Sequence, residues 1–358
     1  MSRLDDAAAL AGADPGGMLQ QVAGLPDQLA RAAEVRAAIE PSASSLRARD
    51  SREVVVCGMG GSAIGAEYAS VWAGQHALRV SVSRDYALPT WVGPQHLLLF
   101  SSYSGNTEET LSAFAASMSH AGARACITTG GRLEQLAAEH EVPVVKLPPG
   151  LQPRAALGHS LVALLSVLHA AGVVQADPIP EVEAAARLLR KQGRDLAPQV
   201  PESRNRAKQL ARMWHEHWPC FYTGSGALEP VGRRWKAQVH ENAKAQASAA
   251  ALPEMNHNEI MAWQSPPEVR RRARLFFLRD ASDPEPTQRR MTWTAKILRD
   301  QVAGVEFVDA VGGSVLERAL SATSLGDYAS VYLAFLYDVD PTPVEVIETL
   351  KRALARSD

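Results

Sequence analysis

Residues 53–65 read EVVVCGMGGSAIG and carry the clearest strand-to-helix pattern in the chain. The apolar run at 54–57 is typical of a strand buried on both faces of a parallel sheet. The glycine-rich run that follows begins a helical pattern, and its glycines would let the backbone approach an anion closely. Such a turn can also serve close packing alone. Its spacing differs from the GxGxxG dinucleotide pattern, so no nucleotide cofactor is indicated.

The rhythm of a strand followed by a helix continues along the chain. Further strand patterns lie at residues 80–82, 97–101, 125–128 and 142–146, and a spacing of roughly 20 to 25 residues is typical of βαβ units. Helical spacing at residues 18–39 predicts one or two leading helices. After a helical stretch at 178–201, a second series has strand patterns at 220–223, 274–278 and 305–308.

These patterns predict an α/β protein with two domains, each a doubly wound, mainly parallel sheet flanked by helices. The N-terminal domain, with the leading helices, is expected at residues 1–175, and the C-terminal domain, with a terminal helix, at 176–358. The length of 358 residues, with 46% hydrophobic residues, is enough for two cores.

Composition narrows the class of function. The formal net charge of −2 gives no field that would attract nucleic acid or an anionic membrane, so neither partner is expected. The scattered residues Cys57, Cys126 and Cys220 suit a reducing compartment and are expected to be small buried residues. Because the chain shows neither a signal-peptide pattern nor a long apolar run, we expect a cytoplasmic location. No P-loop, HExxH or Cys/His cluster appears, so no metal or other cofactor is expected.

A second glycine-bearing turn follows the strand pattern at 97–101, where residues 101–110 read SSYSGNTEET. The hydroxyls of Ser102, Ser104 and Thr107, with the turn amides, would form a neutral nest for a phosphate dianion. The alternative is a capped helix start with Asn106 or Thr107 as N-cap, which uses only one hydroxyl. Ligands of open parallel sheets lie beyond the carboxyl ends of the strands, so the two turns are expected to converge on one pocket.

Candidates for proton transfer lie in the second half of the chain. Glu241 stands in WKAQVHENAKAQA (235–247) on a predicted helix, and His257 stands in PEMNHNEIMAW (253–263) at the start of another. A carboxylate that takes a proton from carbon and an imidazole that handles a sugar oxygen would form an acid/base pair. A solvated glutamate and a capping histidine are the ordinary alternatives, and these residues alone leave the choice open.

The ordered set GMGGSAIG (58–65), SYSGNTEET (102–110), PR (153–154), ENAK (241–244) and PEMNHNE (253–259) resembles bifunctional phosphoglucose/phosphomannose isomerases. The match runs from about residue 54 to about residue 353. The resemblance implies two SIS (sugar isomerase) domains, with the active site between them and completed across a homodimer. It also implies interconversion of fructose 6-phosphate with glucose 6-phosphate and mannose 6-phosphate, through a cis-enediolate and without a metal.

The resemblance further implies a role for each matching residue. Gly60, Gly61 and Ser62 would border the sugar, and Ser102, Ser104 and Thr107 would hold the phosphate. Arg154 would stabilise the enediolate, and Glu241 would move the proton between C1 and C2. His257, lent by the partner subunit, and Lys351 would help to open the sugar ring.

The last helix carries one of these residues, and two positions of the chain differ from the family pattern. Thr342, Pro343 and Glu345 predict the start of the helix that carries Lys351. Seven residues before Lys351 stands Val344, where relatives that accept both aldoses tend to have threonine and glucose-specific relatives have glutamine, so valine favours dual specificity. The glycine-rich turn continues with Ala66 and Glu67 instead of Gly-Asp, a change expected to affect helix packing.

Two other functions stay open. A non-catalytic SIS sugar-phosphate sensor would keep the serine turn but would not need Glu241, His257 and Lys351 together, and the sequence shows no helix-turn-helix extension. An isomerase of another phosphosugar, such as an amino sugar or a pentose, would share the phosphate nest and differ at the far end of the pocket.

Overall fold

The structure, a computed structural model, describes residues 3–40, 46, 51, 53–120 and 122–354. Its strands are β1 (Glu53–Gly58), β2 (Arg79–Ser83), β3 (Leu97–Ser101), β4 (Arg124–Thr128), β5 (Val144–Lys146), β6 (Trp218–Gly224), β7 (Ser248–Leu252), β8 (Ala273–Arg279) and β9 (Gly304–Asp309). Its α-helices are α1 (Ala7–Gly12), α2 (Met18–Ala23), α3 (Leu25–Ala30), α4 (Ala32–Ile39), α5 (Gly60–Gly74), α6 (Glu108–Ala116), α7 (Gly131–Glu139), α8 (Leu157–Ala170), α9 (Ile179–Leu196), α10 (Arg206–Trp214), α11 (Glu229–Ala243), α12 (Pro267–Arg270), α13 (Glu285–Leu298), α14 (Val315–Leu336) and α15 (Glu345–Leu354).

The chain divides into two compact units, and each contains one sheet. The first unit comprises Gly24–Lys191 and Ala310–Ser321, and the second comprises Met1–Ala23, Gln192–Asp309 and Ala322–Asp358. Strands β1 to β5 belong to the first unit and β6 to β9 to the second. The predicted domains at 1–175 and 176–358 also hold one sheet each, and their boundary stays a prediction.

The sheet of the first unit has the strand order β2-β1-β3-β4-β5, and every neighbouring pair is parallel. The order reverses between β1 and β3, so the turns that follow these two strands flank the switch point where ligands of doubly wound sheets bind. The core on one side of this sheet includes Val55, Leu98, Phe100 and Phe114. The apolar runs in β1, β3 and β4 therefore become buried strands, as their lack of alternation predicts, whereas the edge strands β2 and β5 are only partly buried.

The sheet of the second unit repeats this arrangement with the order β7-β6-β8-β9, again wholly parallel. Its core includes Tyr222, Leu275, Phe277 and Met291. The prediction of two parallel sheets flanked by helices is confirmed. Strand β7 was not predicted, because its sequence SAAAL consists mainly of alanine, which has low strand propensity.

Two helical predictions differ from the structure in detail. Residues 18–39 form the three short helices α2, α3 and α4 where one or two helices were expected, and Pro26 lies in the first turn of α3, where a proline tends to begin a new helix. Helix α15 begins at Glu345, and the Glu348 amide donates to the Val344 carbonyl at 3.1 Å. The predicted start at Pro343 was thus too early, within the usual uncertainty of helix ends.

None of the described helices is both long and apolar enough to span a bilayer.

Candidate active site

The glycine-rich turn after β1 lies against two other segments of the first unit. A Cβ atom at Gly58 would lie 2.7 Å from the Ser101 carbonyl oxygen, and one at Gly61 would lie 2.5 Å from the Pro153 carbonyl oxygen. Only glycine permits these approaches. Met59, the N-cap residue of α5, makes no side-chain hydrogen bond to the first helical turn. The turn therefore joins the ends of β1 and β3 to the segment that contains Arg154.

The serine turn after β3 brings two hydroxyls together. Ser102 Oγ and Thr107 Oγ1 lie 2.8 Å apart, and the Gly105 amide donates to Ser102 Oγ at 3.1 Å. Thr107 stands at the N-cap position of α6, but its side chain makes no capping hydrogen bond. Its hydroxyl thus belongs to the turn, and the alternative of a helix start capped by Thr107 is wrong.

The rest of the serine turn is held by its own side chains. Ser104 is exposed, and its Oγ accepts from the Asn106 amide at 3.2 Å. Asn106 Oδ1 accepts from the Arg132 amide at 3.0 Å, in the first turn of α7. Asn106 therefore caps α7 instead of α6. Ser104 remains accessible at the edge of the turn, separate from the bonded hydroxyls of Ser102 and Thr107.

One hydrogen bond connects the glycine-rich and serine turns directly, and another ties the serine turn to Pro148. The Tyr103 amide donates to Ser62 Oγ at 3.3 Å, and Ser62 is buried. The Tyr103 hydroxyl donates to the Pro148 carbonyl at 2.8 Å, and burial raises the pKa of Tyr103. The structure thus brings together the two predicted turns at the switch point of the first sheet.

Arg154 lies in a 3-10 turn, Pro153–Ala155, and is only 4% exposed. A guanidinium keeps its charge when buried, so this residue provides a fixed positive charge beside the glycine-rich turn. The turn is held by Gln28 from α3, a residue that no sequence motif singles out. Gln28 Nε2 donates to the Ala155 carbonyl at 2.8 Å, and Gln28 Oε1 accepts from the Gly158 amide at 3.0 Å. Gln28 thereby fixes the main chain at Ala155 and at Gly158, the two ends of the segment that follows Arg154.

Glu67, one of the two departures from the family pattern, is buried on α5 and forms an ion pair with Arg84. Arg84 lies just after β2. The contact ties α5 to the end of β2, and an effect of the change on helix packing stays a prediction.

In the second unit, helix α11 carries Glu241 and is joined to α14 by buried polar contacts. Arg234 donates to Asp327 through Nε at 3.0 Å and through Nη2 at 2.7 Å, and both side chains are buried. One turn further along α11, Gln238 Nε2 donates to Asp327 Oδ1 at 3.0 Å. Another turn on, Asn242 Nδ2 donates to Ser330 Oγ at 2.8 Å. Because these residues are spaced four apart, they fix the rotation of α11 about its axis.

The fixed rotation places Glu241, half-buried, on a cavity of about 610 Å³ within the second unit. His240 and Lys244 line this cavity from the same helix end, and Val344 lines it from the segment before α15. The carboxylate predicted to act as base and the position predicted to affect specificity thus share one cavity. Sequence reasoning had not joined Lys244 to this group, although the motif ENAK contains it.

His257 and Lys351 are both exposed. Neither is among the described residues that line this cavity. Lys351 lies on α15, as predicted. His257 ends one 3-10 helix, Glu254–His257, and a second 3-10 helix, Glu259–Gln264, follows it, so the predicted helix start lies two residues beyond His257. Asn258 separates the two: its Oδ1 accepts from the Glu259 amide and caps the second 3-10 helix, and its Nδ2 donates to Glu254 Oε1 in the first.

Counted across each sheet, the third strand is β3 in the first unit and β8 in the second. The turns that follow these two strands differ in charge. In the second unit this turn, after β8, reads DASD (280–283), whereas the turn after β3 reads SYSG (102–105) and has no carboxylate there. A Cβ atom at Gly224 would lie 2.6 Å from Asp283 Oδ1. Carboxylates at this place repel a phosphate dianion, so a phosphate site is favoured at the first sheet.

The three cysteines are buried and free, as expected. Burial raises the pKa of Cys57, Cys126 and Cys220 to about 12 each. The thiols therefore stay protonated at neutral pH and pack as small apolar groups.

The predicted site residues thus form two groups. The structure gathers Gly60, Gly61, Ser62, Ser102, Ser104, Thr107 and Arg154 in the first unit, while Glu241, His257 and Lys351 belong to the second. Their assembly into one active site stays a prediction.

Comparison with known proteins agrees with these observations. Residues 203–354 match the family model of the bacterial phospho-glucose isomerase C-terminal SIS domain. A bifunctional phosphoglucose/phosphomannose isomerase from Caldicellulosiruptor bescii is 38% identical over 341 residues, which are 94% of this chain and 99% of that protein. One from Aquifex aeolicus is 35% identical, over 85% of this chain and 90% of that protein.

Solved structures agree in fold. A tagatose-6-phosphate ketose/aldose isomerase from Escherichia coli has a TM-score of 0.68 at 15% identity and covers 90% of this chain and 94% of its own. A hypothetical protein from Thermus thermophilus has a TM-score of 0.72 at 17% identity, over 98% of this chain and 94% of its own. Taken with the ordered motifs and the parallel sheets, the sequence similarity shows that the chain belongs to the family of bifunctional phosphoglucose/phosphomannose isomerases.

Proposed function

We propose that the protein interconverts fructose 6-phosphate with glucose 6-phosphate and mannose 6-phosphate by proton transfer. The observation that carries the proposal is the hydroxyl pair of Ser102 and Thr107, 2.8 Å apart at the switch point, in a chain of this family. Hydroxyls and turn amides suit a phosphate dianion, because they donate hydrogen bonds without requiring a counter-charge. The bound phosphate then anchors the sugar, while the C1–C2 end of the sugar reacts.

In the reaction from fructose 6-phosphate, Glu241 takes a proton from C1 of the open-chain ketose. The C1–H electron pair forms the C1–C2 double bond, and the negative charge develops on O2 to give a cis-enediolate. Arg154, with its permanent charge, stabilises this oxygen. Glu241 returns the proton to C2 while the proton on O1 transfers to O2, so that O1 becomes the aldehyde oxygen and O2 becomes the C2 hydroxyl. The face of C2 that receives the proton decides between glucose 6-phosphate and mannose 6-phosphate.

Before this step the sugar ring must open. His257 and Lys351, both exposed, are proposed to transfer protons at the ring oxygen and at the anomeric hydroxyl. We further propose that the active site is completed in a homodimer, to which each subunit lends its His257. The exposure of this histidine supports such a role.

We also propose a cytoplasmic location. The three free cysteines support it, because thiols persist in a reducing compartment.

The test is to incubate the purified protein with fructose 6-phosphate and to identify both aldoses by carbon-13 NMR. Formation of both supports the proposal, and glucose 6-phosphate alone would reject the dual specificity. Binding of fructose 6-phosphate without turnover would instead favour the sugar-phosphate sensor. Activity is expected to survive exhaustive chelation, and a strict metal requirement would contradict the proton-transfer scheme.

A further inference from the structure

Lys244 follows helix α11 directly and holds a left-handed backbone conformation, with φ of 53°. Its side chain turns back over the end of the helix. Lys244 Nζ donates to the Glu241 carbonyl at 2.9 Å and to the Asn242 carbonyl at 3.2 Å. Carbonyls of the last helical turn lack intrahelical donors, and a cation stabilises them both by hydrogen bonding and by its charge.

The same ammonium group also reaches a segment almost a hundred residues further along the chain. Lys244 Nζ donates to the Asp340 carbonyl at 2.8 Å and to the Pro341 carbonyl at 3.0 Å. This segment leads directly to Val344 and to α15. One cation therefore connects the main chain of Glu241 to the main chain that places Val344, and all three side chains line the same cavity.

We infer that Lys244 is a positioning residue for the isomerisation: it sets the distance between Glu241 and the segment of Val344. This inference rests on the proposed function. The rest of α11 has its own attachment, the buried contacts of Arg234, Gln238 and Asn242 with α14. Loss of the ammonium should therefore leave the helix in place but free its last turn and the segment 340–344.

Two consequences separate this role from a general effect on stability. A shift of Glu241 relative to the sugar carbons lowers turnover more than affinity, because phosphate binding belongs to other residues. A shift of the segment 340–344 changes the wall of the cavity next to Val344. Since the aldose formed depends on how the C1–C2 end of the sugar is held, the ratio of mannose 6-phosphate to glucose 6-phosphate should change as well.

The test compares three variants of the full-length protein with the wild type, all with fructose 6-phosphate. Lys244→Asn keeps a residue type that tolerates the left-handed conformation but cannot reach the distant carbonyls. Lys244→Met keeps the length of the side chain without its charge. Both should lower kcat roughly 10- to 100-fold, with KM changed less than threefold or so, and should alter the aldose ratio. Lys244→Arg, which keeps donors and charge, should retain most of the turnover.

The matched control is Lys191→Met, at an exposed lysine on α9, which should behave as the wild type. Thermal unfolding shows which variants are folded at the assay temperature; if Lys244→Met is not, Lys244→Asn and Lys244→Arg decide the outcome. Wild-type kcat and aldose ratio in Lys244→Asn would overturn the inference, and so would an Arg variant as impaired as the Asn variant. If the wild type itself does not isomerise the sugar, the proposed function fails instead.

Discussion

Thr107 is the N-cap residue of helix α6, yet its hydroxyl lies 2.8 Å from the Ser102 hydroxyl and makes no capping bond to the helix. A threonine at an N-cap ordinarily accepts a hydrogen bond from the helix backbone. Here the group that would stabilise the helix is directed into the turn at the switch point. Such a local departure from the usual chemistry of a helix start is expected where a residue serves a ligand.

Loss of this hydroxyl pair should weaken the binding of phosphate. Thr107→Val keeps the shape of the side chain, and Ser102→Ala removes the other hydroxyl. Each is expected to raise KM for fructose 6-phosphate roughly 10-fold or more, since a hydrogen bond to a charged group contributes about 1.5–3 kcal/mol. The inhibition constant of inorganic phosphate should rise in parallel. The control is Ser119→Ala, where the hydroxyl donates only to its own helix end at Ala116. An unchanged KM in both turn variants would exclude the serine turn as the phosphate site.

Val344 allows a test of aldose selection. Val344→Gln introduces the residue of glucose-specific relatives into the cavity that Glu241 also lines. The longer polar side chain should hold the C1–C2 end of the sugar differently, so the fraction of mannose 6-phosphate should fall severalfold while total turnover changes less. The measurement is the ratio of mannose 6-phosphate to glucose 6-phosphate formed from fructose 6-phosphate. The control is Val269→Gln, on the surface of α12. An unaltered ratio would show that Val344 does not contact the reacting end.

Breaking the buried ion pair between Arg234 and Asp327 should destabilise the second unit. Removing one partner leaves a buried charge without compensation, so Asp327→Ala should lower the free energy of unfolding by about 3–5 kcal/mol. The matched control is Asp309→Ala, which removes an exposed carboxylate that pairs with Arg279 at 2.6 Å. An exposed pair contributes at most about 1 kcal/mol. Urea unfolding measures the free energy of unfolding of both variants. Losses of equal size would contradict the assignment of Arg234 and Asp327 as a buried ion pair.

His159 predicts how the stability of the first unit depends on pH. This histidine is 6% exposed, its Nδ1 has no hydrogen-bond partner among the described residues, and burial together with Arg31 lowers its pKa to about 4. The unfolded chain, with a pKa near 6.5, therefore binds a proton that the folded chain rejects. Stability is full above pH 6.5 and falls as the pH drops towards 4, by about 2 to 3 kcal/mol.

The measurement is urea unfolding of wild type and His159→Leu at pH 7.5 and pH 4.5. The variant should lose less stability between the two pH values than the wild type does. His140→Leu, at an exposed histidine, is the control and should follow the wild type. If the pH dependence of His159→Leu also follows the wild type, His159 does not hold a depressed pKa.

Much of the fold could be predicted because buried parallel strands are continuous apolar runs, such as those of β1 and β3. Strand β7 could not, because SAAAL carries neither β-branched nor aromatic residues, and its register with β6 (for example Cys220 beside Ser248) is a property of the folded sheet. The break between the two 3-10 helices at Asn258 was also hidden, since the Asn258 side chain bonds to both of them.

The residues of the site were easier to predict than the residues that hold them. Ser102 and Thr107 stand out because several hydroxyls follow one strand. Gln28 and Lys244 do not, because their partners lie 127 and 96 to 97 residues away along the chain. Such contacts depend on tertiary packing, which a single sequence does not display, and each of them fixes main chain next to a proposed catalytic residue.

The most direct test of the proposed mechanism is the turnover of Glu241→Gln with fructose 6-phosphate. Glutamine keeps the shape of the side chain but cannot accept the proton from carbon, so turnover should fall by roughly 10² to 10⁴ while KM stays nearly unchanged. Glu229→Gln, at the other end of the same helix, should retain wild-type turnover. Near-normal turnover in Glu241→Gln would contradict the assignment of Glu241 as the base and the proton-transfer mechanism proposed for this protein.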